Sequence, residues 1–400
     1  MTAEALRLAQ QAEPDAPPKR HPNVGRVSVF DDLAQVAGAW HRLQRASGVA
    51  PYGAFQLTDA WLRTIGDAKG VEPAIVVAED AQGRPLALLP LGVVRHTGLR
   101  WAKFLGDTEF NGHVVLTDPD VVWNRATVIA MLAKAGTQAR IDLFALKNQR
   151  AAWDGHANPL AFLGGQPSAS FSHAVRLAPD AEEHFKRTLS KHARKLLRSK
   201  RLKLEKLGPI RHRVAASEAE AGAILDAYMH QRTARARLLG RPARTADDPL
   251  RAFYLQASAS DAATSAPLEL HALFCGERIV ATFGGTGTRE RFSGMFTSFD
   301  MDPLFARCSP GEIFVADVIT SKCRDGVASF DLGIGEGRYK DLFCPESEPL
   351  FDQFLGVTST GRAAAAVWTA MARGKRNIKQ SPRLWSAVQR GRRWIAATGL

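Results

Sequence analysis

One order of elements occurs twice along the chain, and that doubling limits the fold more than any single motif. In the first half, residues 26–30 read as a strand. Asp31 can cap the helix that follows, which carries Leu33, Val36, Trp40 and Leu43 on one face. A second helix is predicted over residues 58–66, with Trp61, Leu62 and Ile65 inward. Residues 73–79 and 85–94 read as strands around the turn Asp80-Ala81-Gln82-Gly83. A strand near 99–105, a helix over 121–135 and a strand over 141–146 complete the set. The second half runs in the same order, from a strand at 210–215. Ser217, with Glu220 three residues on, forms a capping box before a helix over 218–235. Asp247 or Asp248 caps the next helix, which holds Leu250, Phe253, Tyr254 and Leu255. A hairpin over 268–285, a strand at 291–299, a helix at 311–324 and a strand at 328–332 follow. The pattern predicts two copies of one α/β (α+β) unit, each a mixed, mainly antiparallel sheet flanked by helices. The boundaries read as a polar tail over 1–23, a first domain over 24–175, a second over 176–358 and a helical tail over 359–400.

Four hundred residues suit two such domains. No apolar run reaches the length of a membrane span. The first residues lack the basic-then-apolar order of an export signal, so Cys275, Cys308, Cys323 and Cys344 are expected as reduced thiols in the cytoplasm. Cys308 has no partner base that the sequence identifies.

The net charge of +13 is unevenly placed. From Lys186 to Arg213 there are 12 basic residues against one acid, and from Gln353 to the end 9 basic residues and no acid. These stretches hold +11 and +9, which leaves the rest of the chain at −7. A local basic patch suggests an anionic partner.

Between the strand at 291–299 and the helix at 311–324 lies Ser309-Pro310-Gly311-Glu312. A helix start leaves N–H groups unpaired and carries partial positive charge. Ser309 can cap it, Pro310 suits the first turn, and Gly311 has no side chain to hold a ligand off. A pyrophosphate can lie against such an end. The same four residues are also an ordinary helix start. The strand at 328–332 then ends in the glycine-rich turn Gly333-Ile334-Gly335-Glu336-Gly337.

Over residues 180–340 the chain resembles the CelD-like acetyltransferases, a branch of the GNAT superfamily associated with cellulose biosynthesis. The resemblance rests on five features in order: the basic stretch SKHARKLLRSKRLKLEKLG, the helix around Tyr228 to Arg237, the hairpin LELHALFCGERIVATFGG, SPGEIF and FDLGIGEGRYK. It implies a tandem GNAT-like pair, a doubling also found in Fem-type aminoacyl transferases. It further implies acetyl-CoA or another acyl-CoA as co-substrate, no metal, and direct transfer to a saccharide or other small acceptor. The pyrophosphate is expected at Arg307, Ser309, Pro310, Gly311, Glu312 and Ile313. Arg307-Cys308-Ser309-Pro310-Gly311-Glu312 departs from the family signature, with its glycine one place late and a proline inside. Asp331 and Glu336 are the candidate bases, Tyr339 the candidate proton donor, and Lys340, Arg194 and Arg198 the candidate acceptor-binding cations. The first copy lacks a Ser-Pro-Gly helix start, so it is expected not to hold CoA. There, Asp107 and His113 either line a substrate wall or satisfy a polar turn.

Residues 180–207 are expected as one long helix stopped by Gly208-Pro209, with Lys191, Arg194, Lys195, Arg198, Lys200, Arg201 and Lys203 on one face. That face is either solvated or a cleft wall. The tail predicts helices over 362–373 and 382–397. The second sets Leu384, Trp385, Val388, Trp394 and Ile395 against arginines, which fits either membrane-surface contact or docking on the protein. No DNA-binding motif is present. Two other functions fit the same features. One is a Fem-type transferase using aminoacyl-tRNA. The other is a non-catalytic accessory protein of an envelope polysaccharide system.

Overall fold

The computed structural model describes residues 23–46, 50–113, 115–153, 156–239, 248–259, 267–288, 290–335, 337–381 and 383–386. The chain divides into two compact units, and the first is interrupted by the second. Unit 1 takes the residues up to Phe171 and returns over Pro349–Ser381, while Ser172–Glu348 belong to unit 2.

Unit 1 opens with β1 (Arg26–Phe30), α1 (Leu33–Ala46) and α2 (Phe55–Trp61, running on as Leu62–Gly66). Asp32, not Asp31, caps α1, its carboxylate taking the Ala34 N–H at 2.9 Å. Leu33, Val36, Trp40 and Leu43 are buried as their spacing predicts. β2 (Ile75–Glu79) and β3 (Pro85–Leu89) pair antiparallel beside β1. Their alternate residues go to two cores: Ile75 and Val77 pack with α1, Val76 and Ala78 on the other face. The predicted single strand over 85–94 is two strands. Pro90 separates β3 from β4 (Leu91–His96), and the two lie in different sheets. A proline has no N–H to give a ladder, so the change of sheet falls there. β5 (Leu99–Phe104), α3 (Arg125–Gln138) and β6 (Leu143–Gln149) follow. Asn124 caps α3 through the Thr127 N–H, so the helix begins later than its apolar pattern suggests.

Unit 2 begins with β7 (Ser172–Arg176). The basic stretch is two helices, α4 (Ala181–Thr188) and α5 (Lys191–Glu205), not one. Ser190 stops the first and caps the second through the Ala193 N–H at 3.1 Å. β8 (Ile210–Val214), α6 (Glu218–Leu238) and α7 (Asp248–Ala257) come next. The Ser217 hydroxyl takes the Glu220 N–H and the Glu220 carboxylate takes the Ala216 N–H. Asp248 is the first residue of α7; Asp247, the other predicted cap, lies outside the described residues. β9 (Glu269–Cys275) and β10 (Arg278–Gly287) form the hairpin around Gly276, whose φ is 61°. β11 (Arg291–Phe299), α8 (Pro310–Arg324), β12 (Ser329–Ile334), α9 (Arg338–Phe343) and β13 (Glu346–Glu348) complete the unit. The seven strands lie in the order β8-β9-β10-β11-β12-β7-β13. Every neighbouring pair is antiparallel except β11 and β12.

The chain then returns to unit 1 as β14 (Phe351–Gly356) and α10 (Ser359–Gln380). The sequence pattern places β14 in the second domain and α10 in a tail. β14 instead pairs antiparallel with β6 in a six-stranded sheet, and α10 packs on the same sheet, where Trp368 meets Trp101 edge-on at 5.1 Å. The predicted tail helix over 382–397 falls, apart from residues 383–386, outside the described residues. Among the described residues no helix is long and apolar enough to cross a membrane.

Candidate active site

The geometry of unit 2 is set by how briefly β11 and β12 stay together. Their parallel pairing covers Arg291–Ser329, Phe292–Phe330 and Ser293–Asp331 only. Phe292 and Phe330 stack at 5.9 Å, and Phe283 stacks on both at 6.3 and 6.0 Å. Each such pair contributes about 0.5–1.5 kcal/mol beyond the area it buries. That packing holds the closed end, while β11 runs on unpaired with β12 as far as Phe299 and the two strands part.

The start of α8 lies at the open end. A Cβ on Gly311 would meet the Phe299 ring at 3.1 Å. Ser309 does not cap the helix with its side chain, contrary to the expectation from sequence. Its backbone is left-handed, φ 54° and ψ 56°, and its carbonyl takes the Glu312 N–H at 3.1 Å. A left-handed serine costs about 1–2 kcal/mol, and such strain gathers at functional sites. Pro310 has no N–H, so the Gly311 N–H is the first donor of the helix, and it has no acceptor among the described residues. Arg307 is exposed and likewise makes no ion pair there. Glu312, expected beside a phosphate, is held by Lys200 at 2.5 Å, and Arg201 holds Asp317 at 2.6 Å. These two pairs fasten the basic α5 to α8 and neutralise the one acid in its first turn. Arg194, on the same helix, is half-buried, and its Nε is buried with no acceptor among the described residues. Arg198 is exposed.

Of the remaining candidates, Tyr339 packs against the same core cluster as Phe299. Arg235 of α6 lies over the Phe299 ring at 5.5 Å, and its charge reaches the Tyr339 phenol. Burial pushes that phenol up to about 12 against the opposing effect of Arg235, so the hydroxyl stays protonated at neutral pH. Sequence reasoning missed Arg235 and Phe299. An arginine near a helix end and an aromatic closing a strand are commonplace until the fold brings them together.

Asp331 lies elsewhere. It is fully buried, and its carboxylate takes Arg291 Nε at 2.6 Å, the Ser293 hydroxyl at 2.5 Å and the Gly333 N–H at 2.9 Å. Arg291 also grips Glu348 with both terminal nitrogens, at 2.7 and 2.6 Å. This is an anchor between strands, with its carboxylate committed to the protein's own donors. Lys340 is buried and donates to the carbonyls of Gly333 and Ile334 at 3.3 and 2.9 Å, so it ties down the glycine-rich turn. Glu336 lies outside the described residues. His271 is fully buried, between His212 at 3.1 Å and Glu269 at 3.2 Å. Among the described residues no group of His, Cys, Asp and Glu is placed to hold a metal ion.

In unit 1, His113 is buried, stacked on Phe104 at 4.8 Å, with Nε2 3.3 Å from the Asp107 carbonyl. Burial pulls its pKa down to about 4. An unfolded histidine titrates near 6.5 and so binds protons that the folded one refuses between about pH 6.5 and 4. The stabilising contribution is therefore complete above pH 6.5 and is lost as pH falls through that window, by about 2 kcal/mol at pH 5. Urea midpoints at pH 7 and pH 5 check this. A His113→Phe variant is expected to show a smaller drop than the parent.

Comparison with known proteins bears on this geometry. Residues 191–341 match the acetyltransferase (GNAT) domain family. The chain carries an acyltransferase domain. The match begins at α5 and ends in α9, so it includes the parted strands, the start of α8 and Tyr339. Solved structures share the fold over most of the chain. The C-terminal domain of a protein assigned as a lysylphosphatidylglycerol synthetase, from Agrobacterium fabrum, is 14% identical with a TM-score of 0.50, over 85% of this chain and 96% of that one. FemX is 9% identical with a TM-score of 0.52, over 78% and 93%. A tandem GNAT protein from clavulanic acid biosynthesis is 12% identical with a TM-score of 0.47, over 83% and 98%. No curated protein matches the sequence. Unit 1, like unit 2, has sheet flanked by helices and one pair of strands that runs parallel only briefly. In unit 1 that pair is β5 and β6, joined only at Trp101–Leu143 and Ala102–Phe144.

Proposed function

We propose that unit 2 transfers an acyl group from an acyl-CoA, acetyl-CoA first, to an amine or hydroxyl of a sugar or polysaccharide-related acceptor. The observation that carries the donor half is the parting of β11 and β12 beside the unpaired Gly311 N–H. The residues there suit an anionic donor: a free N–H at a helix start, the unpartnered Arg307, the buried Arg194 Nε without an acceptor, and a first-turn acid already neutralised by Lys200. The acceptor class rests on the resemblance to the CelD-like family. Acyl-CoA is a cytosolic metabolite, and we place the protein in the cytoplasm.

Direct transfer needs an amine free of its proton, a held thioester and a proton for the departing sulfur. Bound acyl-CoA supplies the activated carbonyl. The Gly311 N–H and Arg307 would bind its phosphates, and the absence of a Cβ at position 311 leaves room for them. The Tyr339 hydroxyl, kept protonated, is the hydrogen-bond donor suited to the sulfur as charge develops there. Glu336 is our candidate for taking the acceptor's proton, because Asp331 is occupied by Arg291.

The experiment is to follow release of free CoA thiol with amino-sugar and hydroxyl acceptors. Tyr339→Phe is expected to lower kcat by about 10²-fold while leaving the donor Kd unchanged. Unchanged turnover would remove Tyr339 from the reaction, and no turnover with any acyl-CoA would remove the proposal. A second reading, aminoacyl transfer from tRNA, is favoured by the exposed Lys191, Lys195, Arg198 and Lys203 on α5. Salt-sensitive tRNA binding without CoA binding would carry it.

A further inference from the structure

Unit 1 contains a cavity of about 380 Å³ that the acyl-transfer reading does not use. It is of a size with small-molecule sites, which run from about 300 to 1,000 Å³. It lies where β5 and β6 have parted, with Lys103 and Phe104 on one strand, Lys147 and Asn148 on the other, and Phe354 of β14 and Trp368 of α10 alongside.

The cavity gathers three lysines against two carboxylates. Lys103, Lys147 and Lys375 all line it. Lys147 and Lys375 make no hydrogen bond or ion pair with a described residue. Lys103 has only a loose contact with Asp107, at 3.8 Å. The Lys147 ammonium is set over the rings of Phe354 and Trp368, at 5.5 and 5.7 Å. Loss of solvent pulls its pKa down; Asp352 opposes that most, and the smaller pulls of Lys103 and Lys375 are set against Asp107. Two carboxylates therefore face the lysines, but neither meets Lys147. Asp352 is buried with one oxygen already committed to the Asn148 N–H at 2.9 Å and the Ser168 hydroxyl at 2.5 Å. The backbone around the cavity is also strained: Asp107 and Asn148 have φ of 35° and 54°. Lys147 and Lys375, lined up here without a close carboxylate partner, suit an anionic ligand.

The wall that α10 supplies is fixed. Trp368 packs edge-on against Trp101, Arg376 donates to the Ser168 carbonyl at 2.7 Å, and Lys379 to the Ser170 hydroxyl at 2.5 Å. Trp368 and Met371 give this wall an apolar surface opposite the charged strands.

We propose that this cavity binds an organic phosphate, with the phosphate among Lys103, Lys147 and Lys375 and the apolar or planar part of the molecule against Trp368 and Met371. A phosphate monoester presents three terminal oxygens, one for each ammonium, where a carboxylate presents two. The site belongs to unit 1 and stands apart from the donor reading in unit 2.

The test is calorimetric titration of the full chain with uridine monophosphate, glucose 1-phosphate, inorganic phosphate and benzoate. At least one of the two organic phosphates is expected to bind with a Kd below about 1 mM, and more tightly than benzoate. Lys147→Met is expected to weaken it by about tenfold or more, with the unfolding midpoint kept, and Lys147→Arg to restore part of the loss. Trp368→Ala is expected to weaken the organic phosphates and leave inorganic phosphate unchanged. No binding of either organic phosphate overturns the proposal, as does binding that is indifferent to Lys147→Met. Loss of binding in Gly311→Trp, with Lys147→Met unaffected, would assign the probe to unit 2 and overturn it too.

Discussion

Acetyl-CoA at about a hundred times its Kd is expected to stabilise the parent chain by about 2.7 kcal/mol and to leave a Gly311→Trp variant unmoved. The reason is local. The Gly311 N–H is the first donor of α8, and a Cβ there already approaches the Phe299 ring to 3.1 Å. An indole in that place fills the opening between the parted strands and covers the first N–H that α8 presents. Gly311→Ala is the milder companion. Its single methyl presses on Phe299, and the ligand-induced shift is expected to shrink but persist. Thermal unfolding with and without ligand reads all three chains. Equal shifts in parent and tryptophan variant would move the donor away from α8. No shift with acetyl-CoA or longer acyl-CoAs would end the acyl-CoA reading and leave the tRNA-dependent and accessory readings.

Removing Arg291 is expected to destabilise unit 2 severely. Arg291→Met deprives the fully buried Asp331 of the guanidinium that answers its charge, and breaking such a buried pair from one side costs about 3–5 kcal/mol. Asp331→Ala should cost less, because Arg291 keeps both of its hydrogen bonds to Glu348. The double variant should fall short of the sum, since each single change strands a charge that the other removes. Urea midpoints of the three variants check the order. The same series decides whether Asp331 takes part in chemistry. An Asp331→Asn chain that keeps the parent's midpoint and loses turnover would return it to the reaction; loss of both together marks an anchor.

Local signals in the sequence hold at some caps and fail at others. Ser217 caps the helix its spacing announces, with the Glu220 N–H as donor, whereas Asp32 and not Asp31 caps α1. The alternation of Phe330, Asp331 and Leu332 correctly separates the aspartate from its neighbours' face, but pattern alone cannot say that Arg291 waits there, 40 residues away. Ser190 reads as mid-helix because its flanks share one charge pattern; its hydroxyl competes for backbone more strongly than that pattern argues for continuity. The left-handed Ser309 is invisible in a serine that looks like a cap. The pattern assigns β14 to the wrong unit because its partner β6 lies some 200 residues earlier, as in the Asp352 contact with Asn148, and nothing local records so distant a pairing. Arg235 and Phe299 share that difficulty: they become neighbours only through the fold.

The interruption of unit 1 also makes its sheet depend on residues that follow the whole of the second unit. Residues 172–348 precede β14 in the chain, and their own first and last strands pair, Ser172 with Glu348. The later unit can thus close while the earlier one still lacks a strand of its six-stranded sheet and the helix that covers it. A released chain truncated between residues 348 and 351 therefore keeps every strand of the second unit and leaves the N-terminal unit with an open β6 edge, and aggregation through that edge should be greatest there.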